Sequence, residues 1–349
     1  GQNHIWSEKA QLVSLKPYLE AEAEYDAATV FGESFWNSNI MTFGGEHYSF
    51  PKSGYTFTHV VDTKLFEEAG VPIPPENATY LDLYEAAKAI NGKKNAAGEE
   101  IYGGFDWSPY ETFRALMQTK TKRVDWLVDW PVDQYIGGDL AKLKWDLPNI
   151  KDEISSTLAE MRAFAELMPL GWNNREGNEN FFTNKNNIAI LLNTDSGGKF
   201  KNLFDSNDLE TLSRYKVYPY PTVEIDGKMQ LAAAGNVHTW GIPLSAENPA
   251  ASYEIIKYLA SKELQKENYD TRWLAPIVPE GIGFLNPLDP LSLVSMEALQ
   301  IGHGYEKYGM LSVWSQLYPM VRDNIMFKGL ANKDISKDLV QVQEYLDNW

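Results

Sequence analysis

Short apolar runs alternate along the chain with amphipathic segments, and glycines, prolines and capping side chains separate them. Extended runs interleaved with helical periods predict an α/β fold. Val237 to Leu244 reads as a short buried strand. Ser245 through Asn248 then offer N-cap side chains directly before Pro249, whose missing N–H costs nothing at a first helical position. Beyond it, Tyr253, Ile255, Ile256 and Leu259 recur at three-to-four spacing, so this helix is expected to lay an apolar stripe on a sheet.

The same grammar recurs upstream. Asp62 can cap TKLFEEA, Gly70 can close it, and prolines at 72, 74 and 75 prevent its continuation. Thr79 with Asp82 three residues on is close to a capping box and opens YLDLYEAAKAI, which Gly92 ends. Asn95 to Gly98 is a turn, Ile101 to Trp107 extended, and Ser108-Pro109 starts a helix carrying Phe113, Leu116 and Met117. An amphipathic period links Ile154, Leu158, Met161, Phe164 and Leu167. Ile188 to Leu192 and Tyr215 to Tyr220 read as strands, and Asp226-Gly227 as a hairpin turn. The last third is helical. At 349 residues the chain exceeds what a single core holds, and it contains no repeat or low-complexity linker, so two domains joined by more than one strand crossing are expected.

Charge and composition narrow the function. A formal charge of −17 argues against nucleic acid and anionic membrane surfaces as partners, because both want a basic patch. Without cysteine there are no disulfides, thiolate metal sites or cysteine nucleophile. No apolar run is long enough to span a bilayer and no charged-then-apolar leader precedes Gly1, so a mature or trimmed chain is expected, any export signal or lipid anchor having been removed. Aromatic residues form 13% of the chain, with 11 tryptophans, more than its core obviously needs, so some should line a site. Trp126, Trp130 and Trp145 read instead as packing for a surface subdomain, and NNREGNEN as a solvated loop.

Catalytic signatures are weak. Carboxylate pairs such as Glu67-Glu68, Glu99-Glu100 and Asp152-Glu153 suit exposed helix ends and turns. The histidines at 4, 47, 59, 238 and 303 have no metal-ligand spacing, and His238 reads as a core residue. Gly-Gly pairs lack the Lys-Ser/Thr of a phosphate loop, and DSNDLE at 205 lacks the glycine and distal glutamate of a calcium loop. No catalytic residue, metal or cofactor is assigned.

Three segments in order carry a resemblance: FPKSGYTFTHVVDTKLFEEAGVPIPPENATYLDLYEAAKAI, NENFFTNKNNIAILLNTDSGGKF, and residues 232 to 280. Together they resemble the sugar-binding, maltose-binding-protein-like family of extracellular solute-binding proteins that serve ABC transporters. The resemblance covers nearly the whole chain. Two departures stand out: Val61-Asp62 replaces the family's usual Tyr-Asn, and the chain begins where family members have already passed an opening strand-helix-strand, so an incomplete first lobe is expected.

What the resemblance implies is an α/β, two-lobed, periplasmic-binding-protein type II-like fold. Its first lobe would comprise residues 1–60 plus 239–285 and its second lobe 61–238 plus 286–349, with hinges near 57 to 62 and 235 to 240. The protein would be a monomer, extracytoplasmic in a periplasm or lipid-anchored at the outer face of a bacterial membrane. It would bind a carbohydrate, in particular an oligosaccharide, between the lobes and deliver it to the membrane subunits of an ABC importer without catalysis. The alternative is a glycoside hydrolase working through paired carboxylates. Sugar rings need flat aromatic faces and planar polar groups. The residues expected to supply them are Trp6, Tyr55, Trp107, Tyr110, Asn193, Asp195, Gly235, Asn236, Trp273 and Trp314. Each tryptophan reads equally as core, and Asn193 and Asp195 read equally as caps for a helix starting near Ser196.

Overall fold

A computed structural model of the chain describes residues 11–37, 41–43, 45–123, 126–127, 147, 149–194, 197–220, 222–225, 228–231, 236–273, 276–301 and 314–348. Ten strands are described: β1 (Thr42–Phe43), β2 (Glu46–His47), β3 (Ser49–Tyr55), β4 (Thr58–Asp62), β5 (Tyr102–Asp106), β6 (Ile188–Thr194), β7 (Tyr215–Tyr218), β8 (Thr222–Ile225), β9 (Lys228–Leu231) and β10 (Asn236–Gly241).

The largest sheet has the order β5-β6-β4-β7. Its β5–β6 pair is parallel, and β4 runs antiparallel to both β6 and β7. Strand β4 is buried throughout, because the sheet is covered on both faces. Val61 packs with Leu65, Phe66 and Ala87, whereas Val60 packs on the other side with Phe105, Leu191 and Val217. The helix Thr63–Ala69 follows without a loop, since the Asp62 carboxylate accepts the Leu65 N–H and Gly70 closes the last turn at φ 65°. Thr79 and Asp82 complete the expected capping box on the helix Tyr80–Ile90. That helix lies close on β5, where a Cβ on Gly103 would come 2.3 Å from the Ala87 carbonyl oxygen.

Charge is locked into the same sheet. Arg214 donates to Asp62 at 2.6 Å, and the two side chains are 7% and 0% exposed. Asn186 Nδ2 adds a bond of 2.8 Å to the same carboxylate.

A second sheet pairs β3 with β10 in antiparallel register, from Asn236 opposite Tyr55 to Gly241 opposite Ser49, with a shift between His238 and Thr239. Phe31, Phe35, Trp36, Phe50, Ile242, Tyr253 and Ile256 form its core. The chain passes between the two sheets twice, once through Thr56-Phe57 and once from the end of β7 to the start of β10, as two domains sharing strand crossings require. A helical cluster built from Pro109–Thr121, Lys151–Ala165, the π-helix Met320–Phe327 and Ser336–Asp347 flanks the first sheet.

Several expectations are corrected. Ile255 is 58% exposed, and the stripe on Pro249–Leu259 is carried by Tyr253 and Ile256. His238 is exposed, because the pleat of β10 turns it outward. Trp126 packs as expected, fully buried in the helical cluster with its ring edge-on to Phe113 at 5.5 Å, while Trp130 and Trp145 lie outside the described residues. The strand beginning near Val237 ends at Gly241, and that beginning at Tyr215 ends at Tyr218. Asp226 and Gly227 are outside the described residues, and Ile225 pairs with Lys228 across them. Among the described residues no helix is long and apolar enough to cross a membrane.

Candidate functional site

Where β5 ends, the chain turns sharply: Asp106 is buried, Ser108 donates its N–H to Asp106 Oδ1 at 3.0 Å, and Pro109 starts the next helix. This turn throws Trp107 to the edge of a pocket of about 180 Å³. Two other segments reach it. A tight loop, opened by Gly171 at φ 84° and closed by Gly177 at φ 86°, brings Trp172, Asn173 and Arg175. The helical run after Trp314 brings Tyr318, Arg322 and Phe327.

The pocket is lined by planar groups. The Arg175 guanidinium stands 4.8 Å from the centre of the Trp107 ring, and that of Arg322 stands 5.0 Å from the centre of Tyr318. Asp323 holds Arg322 through two bonds of 2.7 and 2.9 Å, which fixes the plane of the guanidinium and raises its already high pKa. Arg175 adopts φ 63°, a backbone conformation uncommon for a side-chain-bearing residue. Rings offer faces to apolar C–H surfaces, guanidinium forks offer donors to hydroxyls, and both are suited to a polyhydroxylated solute.

The carboxylates here are committed. Burial pushes the Asp106 carboxyl up, against the opposing donors Thr112, Asn193 and the Ser108 N–H. Asp323 is tied to Arg322, which holds its carboxyl below the usual range. Among the described residues no group of three or more histidines or acids could hold a metal ion.

Of the ten residues expected to bind ligand, Trp107 and Tyr110 meet at this pocket. Trp107 is half-buried; Tyr110 is 2% exposed and presents its ring edge-on to Tyr318 at 4.8 Å. Asn193 lies beneath, with no exposed surface, its side-chain amide bonded to Asp106 and Thr112. Tyr55 and Asn236 are cross-strand partners at the end of the second sheet. Trp273 caps the helix Lys262–Arg272 at φ 49° and is 5% exposed, packed on Tyr269 and Phe204. Trp314 opens the helix Trp314–Pro319. Trp6, Asp195 and Gly235 lie outside the described residues. Sequence reasoning missed Trp172, Arg175, Tyr318 and Arg322. For Arg175 a signal existed, since residues 172–176, which include the first half of NNREGNEN, sit between Gly171 and Gly177, which allow a tight reversal; the loop is exposed as expected, yet it lines the pocket.

A second hollow, of about 430 Å³, is lined by Tyr25, Glu254, Lys257 and Tyr258. Lys257 there is paired with Glu22 and Glu254.

The fold is that of two-lobed solute-binding proteins. Over 99% of this chain and 81% of the other, it superposes on the sugar-binding protein MalE of Xanthomonas citri with a TM-score of 0.68 at 15% identity. An ABC transporter solute-binding protein of Agrobacterium radiobacter in complex with ribitol gives 0.67 at 16% identity, over 99% and 82% of the two chains. An ABC substrate-binding protein of Listeria monocytogenes in complex with cycloalternan gives 0.61 at 15%, over 99% and 81%. The bacterial extracellular solute-binding protein family model matches residues 2–266, and the chain belongs to that family, whose members bind solutes and are not enzymes. No curated protein matches the sequence.

Proposed function

We propose that the protein binds a carbohydrate, an oligosaccharide in particular, in a cleft whose one wall is the Trp107 pocket, and delivers it as a monomer to the membrane subunits of an ABC importer. The observation that carries this reading is the convergence of Trp107, Arg175, Tyr318 and Arg322 from three distant segments on one pocket. Support comes also from the ligands of proteins sharing the fold, a polyol in one and a cyclic oligosaccharide in another. The two lobes comprise residues 1–60 with 239–285 and residues 61–238 with 286–349, boundaries that fall inside β4 and β10, so that Thr58–Val60 pair with the second lobe's sheet and Asn236–His238 with the first lobe's. The core of Phe31, Phe50, Ile242 and Tyr253 fits the first, and the clusters on both faces of the four-stranded sheet fit the second. Tyr269 and Trp273, from the first lobe's range, pack into the second lobe's cluster beside Phe200. Of the remaining ligand candidates, Trp6 and Tyr55 fall in the first lobe's range and Asp195, Gly235, Asn236 and Trp314 in the second's, and closure bends the chain at the two crossings between the sheets.

Calorimetric titration with maltotriose, cellotriose and xylotriose tests the reading. At least one trisaccharide should give saturable heat. Trp107→Ala should weaken that binding by about 1 to 3 kcal/mol through lost ring contact. Absence of heat from all three, combined with turnover of a chromogenic glycoside, would replace the reading with hydrolysis.

A further inference from the structure

Asn193 is fully buried at the end of β6, with φ 56°. Its side chain bonds in two directions. Nδ2 donates to Asp106 Oδ1 at 2.6 Å, to Thr112 Oγ1 at 2.7 Å and towards the Ser108 carbonyl at 3.2 Å, all groups that shape the turn bearing Trp107. Thr112 Oγ1 in turn donates to Asp106 Oδ2 at 2.6 Å. On the other side, Oδ1 accepts the Tyr220 hydroxyl at 2.7 Å. Tyr220 lies two residues beyond β7, in the crossing that leads towards the second sheet. The Asn193 N–H is donated to His59 Nδ1 at 3.3 Å, and His59 begins two residues after the other crossing, Thr56-Phe57. The His59 and Tyr220 rings lie 5.0 Å apart, which closes the circuit. A buried amide satisfied by partners on both sides cannot shift without breaking one set of bonds, because the site is shut off from bulk solvent.

We propose that Asn193 is a positioning residue for solute binding: it couples the pose of the Trp107–Ser108–Pro109 turn to both crossings between the sheets, through Asp106 on one side and Tyr220 and His59 on the other. Bending at the crossings and the presentation of Trp107 to solute are then one event. The coupling to a sugar rests on the function proposed above; the mechanical coupling does not.

Residue-resolved amide exchange on the full chain without ligand tests it. The Ser108 amide is the reporter, since its bond is to Asp106 Oδ1. Tyr220→Phe removes only a hydroxyl that never touches Ser108. It should speed Ser108 exchange about fivefold, the effect of one ordinary hydrogen bond, with the Ile190 and Leu191 amides unchanged. Thr112→Val, which removes the opposite donor to Asp106, should do the same. Unchanged Ser108 exchange in Tyr220→Phe, or acceleration spread equally over β6, would overturn the coupling. In the trisaccharide titration, Tyr220→Phe should weaken binding about fivefold; undiminished binding would overturn the link to solute. If none of the three sugars binds the unmodified protein, the carbohydrate reading fails, and the exchange experiment still decides the coupling.

Discussion

Arg214→Ala is expected to destabilise the protein by about 3–5 kcal/mol, because it strands a carboxylate in the interior. Asp62 has no exposed surface, and its Oδ2 is held by Arg214 at 2.6 Å and by Asn186 at 2.8 Å. Without the guanidinium, an amide and the Leu65 N–H are the donors that remain, while the cost of a desolvated charge persists. Adding Asp62→Asn should recover much of the loss, since a neutral amide is cheaper to bury and its oxygen can still cap the helix. Urea unfolding of the single and double variants measures this. A single variant within about 0.5 kcal/mol of the parent would show that water reaches the pair.

His59 is expected to make the protein acid-sensitive. It has no exposed surface, its Nδ1 accepts the Asn193 N–H, and the rings of Tyr80 and Tyr220 pack around it at 5.4 and 5.0 Å. Burial pulls its pKa down to about 3 from an ordinary 6.5. In the unfolded chain the same imidazole takes up its proton near the ordinary value, so between these limits the unfolded state binds more protons and stability falls as pH falls. With 1.36 kcal/mol for each pH unit, lowering the pH from 6.5 to 5 removes about 2 kcal/mol on this account. His59→Asn keeps an acceptor near Nδ1 and removes the titration. Its unfolding free energy, from urea curves at pH 7.5 and pH 5, should drop by about 2 kcal/mol less than the parent's. Equal drops in the two proteins would assign the acid sensitivity to other groups.

The legible parts of the fold were those decided within one turn of chain. Asp62, Thr79 and Asn248 cap helices as expected, because capping depends only on residues two or three positions away. Trp107 was legible for a similar reason, since a residue between a strand and a Ser-Pro helix start is bound to sit at a sheet end. Tyr318 and Arg322 were not, because only tertiary packing brings a helix near the C-terminus against the end of β5. Asn193 was seen as polar at a strand end, and nothing local separates a cap from a buried amide; its partners Asp106, Thr112 and Tyr220 are all distant in sequence. Trp126 packs as expected, but its partners, Phe113 and the helices around it, are set by tertiary contacts.

A crystal structure of the protein with whichever trisaccharide it binds addresses the central proposition most directly. It should show a sugar ring against the Trp107 or Tyr318 face, with hydroxyls bonded by Arg322 or Arg175. Sugar bound elsewhere, leaving these four side chains as they stand in the free protein, would contradict it.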